Sequence, residues 1–378
     1  TVVYPTKPQN RTEDAKKTLK ALIKKHGVTV ISIGNGTASR ESEIFVAELI
    51  SELDTPVSYM VVSEAGASVY SASKLAAEEF PEFDVSLRSA VSIARRIQDP
   101  LAELVKIDPK AIGVGQYQHD MPKAKLSTAL GGVVENCVNT VGADLNTASH
   151  SLLSYVAGVN ATVAKNIVAY RQENGRFTDR KQLLKVPKLG KKAYEQCAGF
   201  LRVKGGKTIL DNTAVHPESY AAAKIVLDAC GYKLADIESG GIADLKSKAA
   251  AIGQARIAED AGIGVPTLTD IIDELLKPGR DPRDTLPPPL LRTDVLSIED
   301  LEPDMILSGT VRNVIDFGAF VDIGVHQDGL VHISQLADRF IKHPLDAVKI
   351  GDIVKVRVLS VDVGKKRISL TMKNIPQQ

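Results

Sequence analysis

Short apolar runs alternate with helical periodicity over the first 142 residues of the chain. Val28-Thr-Val-Ile-Ser-Ile33 and Val57-Ser-Tyr-Met-Val-Val62 read as strands. They are set among helices at about 12–25, 39–53 and 85–97, where apolar residues recur every three or four positions. This order predicts an α/β domain. From 150 to about 280 the period is helical, with short turns. Successive prolines cannot extend a helix, so Pro278-Gly-Arg-Asp-Pro-Arg through Pro287-Pro-Pro289 reads as a linker. Five short β runs follow, at 306–314, 318–323, 328–333, 353–362 and 367–372. The fold class expected is multidomain: α/β, then all-α, then all-β.

The middle segment contains an internal repeat. Leu152-Leu-Ser-Tyr-Val-Ala-Gly-Val-Asn-Ala-Thr through Arg171 aligns with Leu183-Leu-Lys-Val-Pro-Lys-Leu-Gly-Lys-Lys through Leu201 after one deletion, matching Val156 to Val186. Each copy reads as helix, tight glycine-containing turn, helix. Small turn residues let main-chain N–H groups approach a phosphate, and the following helix N-terminus adds partial positive charge. The repeat resembles the tandem helix-hairpin-helix family of nucleic-acid-binding domains. That family has Gly-x-Gly in the turn, and each copy here keeps one glycine: Gly158 with Asn160, and Lys188 with Gly190. Asn tolerates left-handed φ, so Asn160 is expected to preserve the first turn. Lys188, Lys191 and Lys192 are expected to supply phosphate contacts at the second.

Charge sharpens this picture. The chain has 47 Lys+Arg and 46 Asp+Glu, a net charge of +1. Residues 1–149 carry net −2, 150–207 net +9, 208–299 net −6 and 300–378 net zero. A compact +9 block in a neutral chain is a footprint for a polyanion.

Along its full length the last segment resembles the S1-motif class of OB folds. The carrying residues are Gly309-Thr-Val-Arg-Asn-Val-Ile-Asp-Phe-Gly-Ala-Phe-Val-Asp-Ile323, Asp328-Gly-Leu-Val-His-Ile-Ser334, Gly351 through Asp362, and Arg367-Ile-Ser-Leu370. Aromatic faces at Phe317 and Phe320 suit stacking on unpaired bases. The resemblance implies an RNA-facing set of Phe317, Phe320, His332, Asp362 and Arg367, with Lys355 and Arg357 as basic support. The turn Val363-Gly-Lys-Lys366 is one residue longer than in some relatives, which leaves the Asp362–Arg367 geometry open.

An enzyme would have to reside in the first 145 residues. Gly34-Asn-Gly36 follows a strand as a dinucleotide loop does, but Ser39 replaces the third glycine, and no cofactor is expected. Glu64 after a strand and Asp144 after a long helix are the candidate carboxylates for two-metal phosphodiester chemistry. The histidines are scattered without metal spacing. Cys137, Cys197 and Cys230 lie sixty and thirty-three residues apart and read as buried thiols. No metal site is expected.

Read together, Ile33-Gly-Asn-Gly-Thr-Ala-Ser-Arg40, Ser63-Glu-Ala-Gly-Ala-Ser-Val-Tyr-Ser71, Ala94-Arg-Arg-Ile-Gln-Asp-Pro-Leu-Ala-Glu-Leu-Val-Lys106, Gly113-Val-Gly-Gln-Tyr-Gln-His-Asp120 and His216-Pro-Glu-Ser-Tyr220, ahead of the S1 motif, resemble the Tex family of bacterial transcription accessory proteins. The resemblance implies a YqgF-type RNase H-like domain over 1–145 and tandem helix-hairpin-helix over 146–207. A second helical domain with linker would cover 208–290, and an S1 OB-fold RNA-binding domain 295–375. An RNase H-like nuclease needs an Asp in a first-strand Gly-x-Asp-x-Gly run. The chain starts too late to contain one, and it is expected to be the C-terminal half of a longer protein. Nuclease activity through Glu64 and Asp144 is therefore not expected. The expected function is a non-enzymatic, cytoplasmic transcription accessory factor whose partners are single-stranded RNA or DNA. The competing readings are an RNase H-like metal-dependent nuclease and a scaffold on RNA polymerase or ribosome.

Overall fold

The computed structural model describes residues 1–376 apart from 114, 116, 280, 286–289, 294–297 and 326. Within the proline-rich stretch, Pro287–Pro289 thus lie outside the described residues, as does Gln116 of the Gly113–Asp120 motif. The chain divides into two compact units: Thr1–Glu64 with Pro287–Gln378, and Ala65–Leu286.

In the first unit, β1 (Val30–Gly34) and β2 (Ser58–Val62) are parallel, with Val30 opposite Ser58 and Gly34 opposite Val62. Parallel neighbours need a crossover, and the helix Ser39–Ser51 supplies it. Its Phe45, Val46 and Leu49 are buried with Ile33 and Tyr59, and Ile23 of the helix Thr12–His26 joins the same cluster. Arg292 extends this layer by exchanging two backbone hydrogen bonds with Tyr59, at 2.7 and 2.9 Å.

The second unit is helical. The helix Lys123–Val141 ends at Gly142, whose φ of 80° turns the chain into β3 (Ala143–Asp144), which pairs in parallel with β4 (Leu201–Arg202). Val105 and Val138, from the segment read as the α/β domain, are buried in the same core as Leu153, Val156, Ile167, Leu183 and Leu201. A second core runs from Leu210 to Leu275. The stretch read as a linker begins under restraint: Arg283 pairs with Asp99 at 2.8 Å and Asp281 at 2.6 Å, and the Gly279 N–H donates to the Asn212 carbonyl.

Arg180 joins the two helical cores. Asp179 and Gln182 form a reciprocal capping box that starts the turn Arg180–Lys185. Only 1% of Arg180 is exposed. Its Nε donates to the Leu201 carbonyl at 2.7 Å, and Nη1 to the Val215 carbonyl and the Tyr220 hydroxyl at 2.8 Å each. Nη2 donates to the Thr213 carbonyl. Tyr220 in turn donates to Asp211 at 2.6 Å, and Asp211 also accepts the Arg180 N–H at 3.2 Å.

The remainder of the first unit is a closed barrel, β5 (Ile306–Ile315), β6 (Gly318–Asp322), β7 (Gly329–His332), β8 (Ile353–Asp362) and β9 (Arg367–Thr371), in the order β5-β6-β7-β9-β8. Alternation decides its faces: Ala319, Val321, Val331, Val354, Val356, Val358, Ile368 and Leu370 fill the interior.

Arg180→Met is expected to destabilise the second unit by about 3–5 kcal/mol, because three carbonyls lose their donor in a buried setting. Its exposed neighbour Lys181→Ala should stay within about 0.5 kcal/mol of wild type. Urea unfolding of the intact chain followed by circular dichroism measures both, and equal midpoints for the two variants would refute the assignment.

Candidate nucleic-acid interface

On the barrel, the β6 pleat that sends Ala319 and Val321 inward sends Phe320 out. Phe317, in the turn before β6, is 53% exposed. Gly318 lies opposite His332, and a Cβ on Gly318 would run into the Val331 carbonyl, so glycine is what lets β6 and β7 close up beside Phe317. The Ile333 N–H donates to the Phe317 carbonyl at 2.8 Å and fixes that turn. Phe320 and His332 thus lie on the outward side of paired strands, and Phe317 sits in the turn that leads into β6. His332 Nδ1 lies 2.9 Å from the Ser334 hydroxyl and accepts the Ser334 N–H at 3.3 Å, which holds the ring.

Lys355 and Arg357 alternate with the buried valines of β8 and are half-buried. Arg357 pairs with Thr371 of β9, the strand that lies between β8 and β7. The Asp362–Arg367 relation left open by the longer turn is direct cross-strand pairing, and Lys366 takes up the extra residue at φ 52°. The Asp362 carboxylate is engaged within that turn, accepting the Lys365 N–H at 2.9 Å with Lys365 Nζ at 3.7 Å. Arg367 is exposed. Sequence reasoning missed Phe340, which is 90% exposed. The signal available was an aromatic residue in a polar segment, between Arg339 and Lys342.

The hairpins correct one expectation. The left-handed residue of the first turn is Gly158, at φ 77°, and Asn160 is extended at φ −85°. Asn160 acts instead as an N-cap, its Oδ1 accepting the Val163 N–H at 3.0 Å. In the second copy Lys188 takes the left-handed position at φ 66°, and Gly190 is the N-cap at φ −80°. Gly158 therefore matches Lys188, and Asn160 matches Gly190. The glycines also differ in purpose. A Cβ on Gly158 would lie 2.7 Å from Gln196 Cβ and 3.1 Å from the Ala193 carbonyl, so the first turn packs against the second hairpin. At Gly190 the same position meets nothing within 4 Å. Lys188, Lys191 and Lys192 are exposed around it, and none has a carboxylate within ion-pair distance among the described residues.

The basic block presents less charge than its letters suggest. Arg180 is buried. Arg171 donates to the Leu145 and Ala148 carbonyls at 2.8 Å, and burial lowers its pKa. Arg202 donates to the Gly199 carbonyl, and burial, with Arg180 nearby, brings its pKa down to about 10. The exposed positive surface is chiefly lysine.

The two candidate carboxylates each accept a backbone N–H. Glu64 closes the loop after β1: its Oε1 accepts the Gly36 N–H at 3.2 Å, its own N–H donates to Asn35 Oδ1 at 2.9 Å, and a Cβ on Gly34 or Gly36 would strike the carboxylate. The loop weighed for phosphate thus already holds an anion. Asp144 Oδ1 accepts the Asn146 N–H at 2.7 Å and starts the turn into the hairpins. Among the described residues no three His, Cys, Asp or Glu side chains gather as a metal site. Cys197 and Cys230 are buried as expected, and burial pushes the Cys197 thiol up to about 12. Cys137 is exposed, contrary to the buried reading, because its helix leaves that position uncovered. No helix among the described residues is long and apolar enough to cross a membrane.

Four family models match segments of the chain. Residues 1–98 match the Tex protein YqgF-like domain, 138–202 a helix-hairpin-helix motif, 208–283 an HHH domain and 300–373 the S1 RNA binding domain. The third match gives the 208–283 core the hairpin identity that its sequence left open. The chain is 56% identical to the transcriptional accessory protein Tex of Neisseria gonorrhoeae over 94% of its own length and 46% of that protein. It is 55% identical to protein YhgF of Escherichia coli K12, over 98% and 47%. It is 38% identical to human S1 RNA-binding domain-containing protein 1, over 94% and 41%. The chain spans about half the length of the curated relatives it matches.

Gly158→Ala should cost about 2 kcal/mol or more, from left-handed strain and the clash with Gln196. Gly190→Ala, at an ordinary φ in open space, should change stability by less than about 1 kcal/mol, since the entropy gain offsets a weaker N-cap. Thermal melts of the two variants decide this, and a reversed order would show the turns to be misassigned.

Proposed function

From the Tex-family domain series that this chain carries, we propose a protein that holds single-stranded RNA or DNA without making or breaking a covalent bond. The observation that carries the reading is the outward placement of Phe320 and His332 on paired strands, with the exposed Phe317 in the adjoining turn that Gly318 allows. Rings half in water are suited to stack on unpaired bases, at about 1–3 kcal/mol per base and with little regard for sequence. The second hairpin adds the other half of the grip: an open glycine N-cap among Lys188, Lys191 and Lys192, whose cations suit phosphates.

The non-enzymatic part of the proposal draws support from the engagement of both candidate carboxylates, Glu64 with the glycine loop and Asp144 with its turn. Within the first unit the Gly34–Gly36 loop is a poor phosphate cradle, since a carboxylate occupies it.

The two halves of the grip are expected to respond differently to salt. Phe317→Ala with Phe320→Ala should weaken binding of a fluorescent single-stranded oligonucleotide by about tenfold or more per base, with the salt slope preserved. Lys188→Glu with Lys191→Glu and Lys192→Glu should weaken binding and also flatten the slope of log affinity against log salt, by about 0.7 for each lysine–phosphate pair removed. Fluorescence anisotropy at several salt concentrations reads both, and an intact chain that takes up no oligonucleotide in dilute buffer would end the proposal.

A further inference from the structure

We infer that Phe340 is a further stacking platform for an unpaired base, lengthening the nucleic-acid face of the barrel beyond Phe317 and Phe320. The inference rests on the single-strand reading above. Phe340 is 90% exposed, the highest value for a large apolar side chain among the described residues. Nearly a whole apolar ring is held in water, which is unfavourable in the absence of a partner.

The loop that holds the ring is well built. Ile341, the next residue, is buried with Leu336 and Val348 in the barrel core. Past it, Pro344–Asp346 forms a turn capped by His343, whose Nδ1 accepts the Leu345 N–H at 3.2 Å while Asp346 accepts the His343 N–H at 3.1 Å. Before it, Asp338 accepts the Asn374 N–H at 3.1 Å. The backbone on both sides of Phe340 is thus anchored, so the exposure of its ring is a fixed feature of the loop.

The same loop approaches the turn that carries Phe317. His343 Nε2 lies 3.5 Å from Asp316 Oδ1, and Asp316 immediately precedes Phe317. Flanking charge identifies the occupant. Arg339 and Lys342 are exposed and neither forms an ion pair among the described residues, while the neighbouring acids Asp338 and Asp346 are taken up by backbone N–H groups. A flat, exposed ring flanked by cations without ion-pair partners suits a strand that alternates flat bases with phosphates.

The chain contains no tryptophan, so Phe340→Trp installs a single reporter. Titrating this variant with an oligouridylate should quench its emission through stacking, with affinity close to wild type by anisotropy. Phe340→Ala should weaken binding by about tenfold or more with the salt slope unchanged, and Phe340→Tyr should restore it. The ring contributes little to the core, so circular dichroism of all three variants should match wild type. Unaltered tryptophan emission on an oligonucleotide that anisotropy shows to be bound would overturn the inference and would leave the ring to a protein partner. Wild-type affinity in Phe340→Ala would overturn it equally. Phe317→Ala run in parallel separates the two ideas: if it weakens binding while Phe340→Ala does not, the single-strand reading stands and this extension falls. If the wild-type chain binds nothing, both fall.

Discussion

A single buried guanidinium organises the second unit. Arg180 offers its donors to carbonyls from two stretches of chain, Leu201 on one side and Thr213 and Val215 on the other, while Tyr220 and Asp211 complete the ring of partners. Taking such a charge out of water is costly, and only a full set of acceptors offsets it. That requirement makes the arrangement specific. The turn that begins the second hairpin, the strand that follows it and the start of the 208–283 domain must come to one point for the arginine to be satisfied. The exposed lysines of the second hairpin are presented by a frame that this residue helps to set.

The proposed grip on nucleic acid combines two kinds of physics. On the barrel the attraction is that of rings for base faces, short-ranged and tolerant of salt. At the second hairpin it is that of ammonium groups for phosphates, long-ranged and screened by salt. The barrel segment has no net charge of its own, so the lysines suit capture and the rings suit retention. The hairpin copies have diverged accordingly: the first turn uses its glycine for packing, and the second keeps its glycine open.

Glu64 illustrates how one side chain changes the meaning of a motif. Gly34-Asn-Gly36 after a parallel strand has the form of a phosphate loop, yet the Glu64 carboxylate accepts its N–H and fills the space its glycines leave. An anion arriving there would meet a like charge already seated.

Much of the architecture was legible in the sequence because it follows from local rules. Apolar alternation located the barrel strands to within a residue or two, helical periodicity located the first helices, and the repeat identified the hairpins. Alternation also determines which side of its strand each barrel residue takes. What tertiary structure decided was the use of residues whose letters are ambiguous. Arg180 reads like any surface cation until the acceptors from distant segments are assembled around it. Phe340 lies outside because the next residue, Ile341, takes the interior. Asn160 caps its helix and Lys188 takes a left-handed φ because the left-handed position falls two residues before each N-cap. Period and turn chemistry act between neighbours in the chain, whereas burial, pairing and exposure depend on what distant segments place against a side chain.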